Sequence, residues 1–217
     1  MSDASLKEMN AKLRSVMQTL PNAVYADLGC SNLSTINQAI GWLPSFKTFL
    51  AVEPDPRNIA WIKRNGVPRG VELIECAISD HDGEMDLILS GSDTNVAFNH
   101  MWSVSSSLRQ PKEHDKHWPF VHFRDRVKVP VRTLASICAE RGIKGFDFLW
   151  LDIQGSEVDA YRGSPEVYEN TKWVFCEAET FEAYAGQWTR NAMLAEMSGF
   201  ELAGAWDHDC LLRNKSL

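Results

Sequence analysis

The hydrophobic pattern of the chain switches period again and again. Short all-apolar runs, typical of strands buried on both faces, alternate with stretches whose apolar residues recur every three or four positions, as in amphipathic helices. Residues 3–20 open with a helical pattern (Leu6, Met9, Leu13, Val16, Met17, Leu20) that stops at Pro21-Asn22 and is expected to pack on a sheet. A first strand is predicted at 23–28 and a helix from about Ser34 to Ile40, ended by Gly41. The second strand is Thr48–Glu53. Asp55-Pro56 then caps and opens a helix with Ile59 and Ile62 inside and Gly66 as its stop. The third strand is 71–76. Residues 84–90 and 124–131 alternate, with Met85, Leu87 and Leu89, then Val127, Val129 and Val131, on one side; each predicts a half-buried strand. Between them lies an irregular, aromatic and His-rich insertion of roughly 91–123. Thr133 caps a helix stopped by Gly142, and strand four is Phe146–Asp152. Helices open at Gly155-Ser156-Glu157 and Ser164-Pro165, and strand five is Lys172–Glu177. Thr189 caps a helix through Met197, and 200–205 with 210–213 predict a closing hairpin.

This order predicts an α/β fold: a doubly wound, Rossmann-like, mostly parallel sheet of seven strands with helices on both faces. One domain over 1–217 is expected, with an N-terminal helix in 1–22 and the 91–123 insertion after strand three.

Composition narrows the partners. The net charge of −7 argues against a nucleic-acid surface, which needs clustered Lys and Arg. Arg124, Arg126 and Lys128 alternate along one strand and read as a solvated face. No apolar run is long enough to span a bilayer, and the polar N-terminus is not a signal peptide. The five cysteines (Cys30, Cys76, Cys138, Cys176, Cys210) are scattered in apolar contexts. They read as reduced core residues of a cytoplasmic protein, neither disulfides nor a metal site.

The candidate chemistry lies in the acids that end four strands: Asp27, Glu53, Asp152 and Glu177. In a parallel sheet these ends share one rim, where ligands bind. A carboxylate after strand two can accept both hydroxyls of a ribose. Asp27 and Asp152 suit a ligand bearing an ammonium and a sulfonium, and would repel a dinucleotide's pyrophosphate. Gly29 would let the backbone approach the ligand. The expected cofactor is therefore S-adenosylmethionine.

Several runs then carry a family resemblance: Asp27-Leu28-Gly29, Val52-Glu53-Pro54-Asp55-Pro56, Ala77-Ile78-Ser79-Asp80 with Gly83, Ser105-Ser106-Ser107-Leu108, Val131-Arg132-Thr133-Leu134, and Asp147 through Glu157 with its Asp-Ile-Gln-Gly-Ser-Glu core. Over about residues 23–213 the chain resembles the FkbM-type branch of class I S-adenosylmethionine-dependent methyltransferases, with their fold. The resemblance implies that Asp27, Gly29 and Ser31 hold the methionine part of the cofactor, Glu53 with Pro54 the ribose side, and Ala77 with Ile78 the adenine edge. It puts Ser106 or Ser107 near the amino-acid end and Asp152 near the sulfonium. The chain departs from the family in its first loop, where Asn32-Leu33-Ser34 stands in the region of a second glycine, and at Gln154, Ala135 and Trp150.

Methyl transfer asks the protein mainly to align the acceptor and keep water out. The expected acceptor is a hydroxyl of a saccharide or other small natural product, with no nucleic acid or membrane as partner. Candidates for the base are Asp152, Glu177, His100 and His122, a rim carboxylate being favoured because the fold fixes its position. Asp152 with Glu177 makes too small a set to assert a metal site. His114 and His117, lacking Cys neighbours, read as a solvated surface pair. Phe98, Trp102, Trp118, Phe120 and Phe123 of the insertion, with Phe181, Tyr184 and Trp188 after strand five, are candidates for a specificity wall or for the insertion's own small core. The alternatives are an NAD-dependent oxidoreductase on a similar sheet, which lacks support from any Gly-x-Gly-x-x-Gly run, and a methyltransferase fold without turnover.

Overall fold

The computed structural model describes residues 2–92 and 103–217. Helix α1 (Asp3–Met17) leads into β1 (Ala23–Leu28), α2 (Ser34–Trp42), β2 (Phe46–Val52), α3 (Pro56–Asn65) and β3 (Val71–Ile74). Strands β4 (Ala77–Ile78) and β5 (Gly83–Ser92), the single-turn α4 (His114–His117) and β6 (Val121–Arg132) follow. The chain continues through α5 (Leu134–Arg141), β7 (Phe148–Leu151), α6 (Glu157–Arg162), α7 (Pro165–Glu169), β8 (Trp173–Glu177), α8 (Arg190–Glu196), β9 (Phe200–Ala205) and β10 (Asp209–Asn214).

Seven strands form one sheet in the order β3-β2-β1-β7-β8-β10-β9. Neighbours are parallel from β3 to β8, and β10 is antiparallel to both β8 and β9. Successive residues of the central strands face opposite sides, as the pleat requires. Tyr25, Phe49, Phe148 and Trp150 meet α1, α2 and α3 through Leu13, Met17, Ile36 and Ile62. Ala26, Leu28, Leu50, Leu149 and Leu151 meet α5 to α8 through Leu134, Ile137, Tyr168 and Met193. The sheet is thus doubly wound and covered on both faces. The five cysteines are all buried and free. Among the described residues no helix is long and apolar enough to cross a membrane.

Three local expectations shift. Strand three stops at Ile74: the Cys76 N–H turns back to the Ile74 carbonyl, and Ala77 and Ile78 pair with β6 instead. Gly41 does not end α2, which runs on to Trp42. The two alternating stretches pair antiparallel as β5 and β6 and, with β4, make a separate three-stranded sheet. Its small core of Ala77, Leu87, Val129 and Val131 stands beside the main sheet's carboxyl rim.

Candidate active site

The winding reverses between β1 and β7, since β2 and β3 extend the sheet one way from β1 and β7 and β8 the other. Ligands of open α/β sheets bind outside the strand ends at such a point. The Asp152 N–H donates to the Leu28 carbonyl there (2.9 Å). A Cβ on Gly29, which has φ +91°, would stand 1.9 Å from the Asp152 carbonyl oxygen. Only glycine permits both that conformation and that approach. The visible need for Gly29 is therefore contact between two strand ends of the protein itself.

Two cavities open on this rim. The first is an open cleft between the strand ends and the segment from Ser103 to Leu108. Gly29, Ser31, Glu53, Pro54, Ala77, Ile78, Ser107 and Asp152, all expected from the sequence, border it. Asp27 does not; it is buried, with Oδ2 accepting from Thr35 Oγ1 at 2.5 Å and, among the described residues, no partner for Oδ1. The sequence reading missed Asn58, Ser103, Ser156 and the apolar Leu87, Leu108 and Ile153, which also line the cleft.

The second cavity is also open to solvent and shares Val104, Asp152 and Gln154 with the first. Glu177, Glu179, His114, Trp118, Tyr184 and Gln187 complete most of its wall. Gln154 joins the two rim acids: its Nε2 donates to Asp152 Oδ1 (2.6 Å) and to Glu177 Oε2 (3.0 Å). The Tyr184 hydroxyl hydrogen lies between Gln154 Oε1 (2.7 Å) and the Ser105 carbonyl (2.9 Å).

A segment from Ser103 to Arg109 straps the cavities together. Ser103 Oγ donates to Asn58 Oδ1 (2.5 Å), and Asn58 Nδ2 donates to Glu53 Oε1 (3.1 Å). Ser107 Oγ donates to the Gln154 carbonyl (2.7 Å), and the Arg109 guanidinium grips both oxygens of Asp159 (2.7 and 2.8 Å). Ser106 Oγ donates to Asp55 Oδ2, beside Arg57.

The first loop compensates for its missing second glycine with strain. Ser31 (φ 45°) and Leu33 (φ 63°) occupy the left-handed region, and so does Gln154 (φ 53°). Such strain gathers at functional sites. The Ser31 N–H donates to Glu53 Oε2 at 2.8 Å, so the loop is tied to the acid of the next strand.

Electrostatically the rim is acidic, and its acids differ in burial. Burial pushes Asp27 and Glu53 up to about 7; neighbouring carboxylates add to the rise, and hydrogen bonds from Thr35 in one case and from Asp55, Asn58 and Ser31 in the other oppose it. Asp152 is exposed where it borders the cleft, and the protein atoms crowded around it raise it too. Glu177 is raised by burial and then by Asp152, Glu157, Asp209 and Glu179. Uncompensated acids of this kind fit a ligand bearing an ammonium and a sulfonium. Among the described residues Ser31 Oγ and Ser156 Oγ have no partner, which leaves polar groups at the cleft for a polar ligand or water to satisfy. The donor set thus fits S-adenosylmethionine.

The other expected residues scatter. His122 pairs with Gly91 across β5 and β6 and borders neither cavity. His114 and His117 are not a solvated pair: His114 is buried, while His117 is exposed and stacks on Phe181 (3.6 Å between centroids). Trp188 packs beside Tyr161 and Arg162, and Phe120 is exposed. Phe98, His100 and Trp102 lie outside the described residues. Among the described residues no three His, Cys, Asp or Glu side chains gather as a metal site.

Residues 24–207 match the methyltransferase FkbM domain. The chain is 34% identical over 202 residues to the 2-O-methyltransferase NoeI of Sinorhizobium fredii (strain NBRC 101917 / NGR234), covering 91% of this chain and 82% of that protein. Its fold is similar to that of the FkbM methyltransferase of Methylobacillus flagellatus KT, with a TM-score of 0.52 at 15% identity. The match covers 88% of this chain and 43% of that one, so the chain spans less than half of that protein's length. Sheet order, rim chemistry and sequence agree: the chain belongs to the FkbM family of S-adenosylmethionine-dependent methyltransferases.

Proposed function

We propose that residues 1–217 act as a single methyltransferase domain in the cytoplasm. In this reading the domain transfers a methyl group to a hydroxyl of a saccharide or related small molecule. The observation that carries the reading is the meeting of two cavities at Asp152 and Gln154. The first cleft takes the donor: Glu53 accepts from the ribose, Ala77 and Ile78 border the base, and Gly29, Ser31, Pro54 and Ser107 shape the remainder. Asp27 acts on the donor through its charge, since it does not border the cleft. When bound, S-adenosylmethionine supplies an electrophilic methyl group on a sulfonium whose leaving group is a neutral thioether.

The second cavity takes the acceptor. Asp152 and Glu177 accept the acceptor's hydroxyl hydrogen bond, and one of them takes the proton as the C–O bond forms. Gln154 holds these two carboxyl groups in one geometry despite their mutual repulsion. Carboxyl, carboxamide and aromatic groups together suit a polyol: hydroxyls donate to the former, and C–H faces rest on rings. The name of the Sinorhizobium relative, a 2-O-methyltransferase, supports oxygen as the acceptor atom. The free buried cysteines support a reducing compartment.

Calorimetry tests the donor half. Wild type is expected to bind S-adenosylmethionine and S-adenosylhomocysteine with roughly micromolar affinity. Glu53→Gln, which turns an acceptor of three hydrogen bonds into a partial donor, should weaken both by about 10–100-fold. Folded wild type that binds neither would overturn the proposal.

A further inference from the structure

A buried histidine stands on the acceptor cavity's wall. His114 is 2% exposed, and among the described residues its Nδ1 has no hydrogen-bond partner. It borders the same cavity as Asp152, Gln154 and Glu177. Three rings fix its place: Trp118 at 4.7 Å, Phe123 edge-on at 5.0 Å and Tyr184 at 5.3 Å between centroids. Buried polar atoms of this kind are rare and costly unless a ligand or water satisfies them. Burial also holds the imidazole near 4, below its ordinary 6.5, so at neutral pH one ring nitrogen is a bare acceptor.

The charges around it are one-sided. Among the described residues no lysine or arginine borders the cavity, whereas Asp152, Glu177 and Glu179 do. Glu179 is engaged by His208 at 2.8 Å, and Glu177 by the Gln154 carboxamide. A phosphate or carboxylate entering this space would lose its water and meet carboxyl groups with no cation to offset them. A hydroxyl can donate to the imidazole, and another to Asp152 or Glu177.

We propose that His114 contacts the acceptor and determines specificity. Its ring nitrogen accepts a hydrogen bond from a second hydroxyl of an uncharged polyol, while the rim carboxyl groups receive the hydroxyl that is methylated. The cavity turns away acceptors with phosphate or carboxylate. This rests on the methyltransferase reading above and adds a substrate class and a reading residue to it.

The test uses the full chain, S-adenosylmethionine labelled in its methyl group, and a set of methyl glycosides. Each neutral glycoside is paired with its uronate, its phosphate and its monodeoxy forms. Wild type is expected to label a neutral glycoside and to favour it over its charged counterparts by more than tenfold in kcat/KM. His114→Phe keeps the ring volume and removes both nitrogens. It should raise KM for that glycoside about tenfold, the effect of one unmade hydrogen bond, with affinity for S-adenosylhomocysteine within twofold. One monodeoxy form should react poorly with wild type and no worse than its parent with His114→Phe. Independently of turnover, adding the glycoside to wild type loaded with S-adenosylhomocysteine should shift the His114 imidazole 15N resonances. This readout stands even if the variant folds poorly. A preference for a charged glycoside, an unchanged deoxy profile in the variant, unshifted resonances, or no labelled neutral glycoside while the donor binds would each overturn the proposal. Failure of wild type to bind the donor at all would instead overturn the underlying methyltransferase reading.

Discussion

The donor cleft and the acceptor cavity share Asp152 and Gln154 but are built by different means. The cleft is made of strand ends: Gly29, Ser31, Glu53, Ala77, Ile78 and Asp152 stand within a few residues of where β1, β2, β4 and β7 begin or stop. Hydrogen-bond ladders fix these positions once the sheet order is set. The acceptor cavity lies between two loops far apart in sequence. They meet where Pro111 pairs with Tyr184, with the Lys112 N–H on the Ala183 carbonyl and the Ala185 N–H on the Gln110 carbonyl. The donor half thus rests mainly on the sheet, and the acceptor half on side-chain and loop contacts, with the strap that begins at Ser103 common to both.

The severest way to break the donor half is Gly29→Ala. The new Cβ would meet the Asp152 carbonyl at 1.9 Å while the backbone holds φ +91°. Left-handed strain costs about 1–3 kcal/mol, and overpacking between two strand ends adds a similar amount. Urea denaturation should show a loss of roughly 3 kcal/mol or more, with donor affinity falling alongside. Unchanged stability would mean that β1 and β7 are not as tightly apposed as the geometry states.

This difference in construction also governs what the sequence could reveal. A doubly wound sheet was legible because its strands are short apolar runs separated by clear caps: Asp55 accepts from the Arg57 N–H, and Thr133 from the Ser136 N–H. Acids at strand ends were legible for the same reason, since topology puts them on one rim. Asn58 was not, because its role appears only when Ser103 reaches it from 45 residues away. A signal did exist in its position three residues after the Asp55 cap, on the first turn of a helix facing the rim. His114 stood out only by its spacing from His117, which says nothing of its burial. Four residues form α4, too few for a hydrophobic period, and the rings that bury it come from Trp118, Phe123 and Tyr184. The second sheet went unforeseen because Ala77 and Ile78, which pair with β6, form a strand of only two residues and carry no alternation of their own.

A pH series sharpens the comparison with a smaller effect. Asp27 and Glu53 are held at about 7 by burial, above the ordinary carboxylate range near 4. Acids raised in this way favour the folded state in their protonated form. That contribution is complete below about pH 4 and is lost as pH rises through 7. The donor-free protein should therefore lose stability across this window from these groups. A cationic ligand favours the ionised carboxyls instead. S-adenosylmethionine should bind about 3–10-fold more tightly at pH 8 than at pH 6, and at pH 6 its binding should release protons. Calorimetry in buffers of different ionisation enthalpy reads that release. S-adenosylhomocysteine, without the sulfonium, should show a smaller rise. Binding of S-adenosylmethionine at pH 6 without proton release would mean that these acids do not sense the donor's charge.

The mildest change separates the two halves most cleanly. In Tyr184→Phe the ring stays and only the hydroxyl between Gln154 Oε1 and the Ser105 carbonyl is lost. One neutral hydrogen bond is worth about 1 kcal/mol, so the loss of stability should be of that order. The strap keeps its other ties, from Ser103 to Asn58, from Ser107 to the Gln154 carbonyl and from Arg109 to Asp159. Donor affinity should accordingly stay within about twofold. The Gln154 carboxamide, however, loses the partner that orients it, and with it the shared grip on Asp152 and Glu177. Acceptor kcat/KM should fall by about 3–10-fold, the kinetic equivalent of the same hydrogen bond. If donor affinity fell as far as acceptor turnover, Gln154 would be part of the donor's support, and the two cavities could not be tuned separately. If neither moved, Asp152 and Glu177 would hold their geometry without Tyr184, from the strand ends alone.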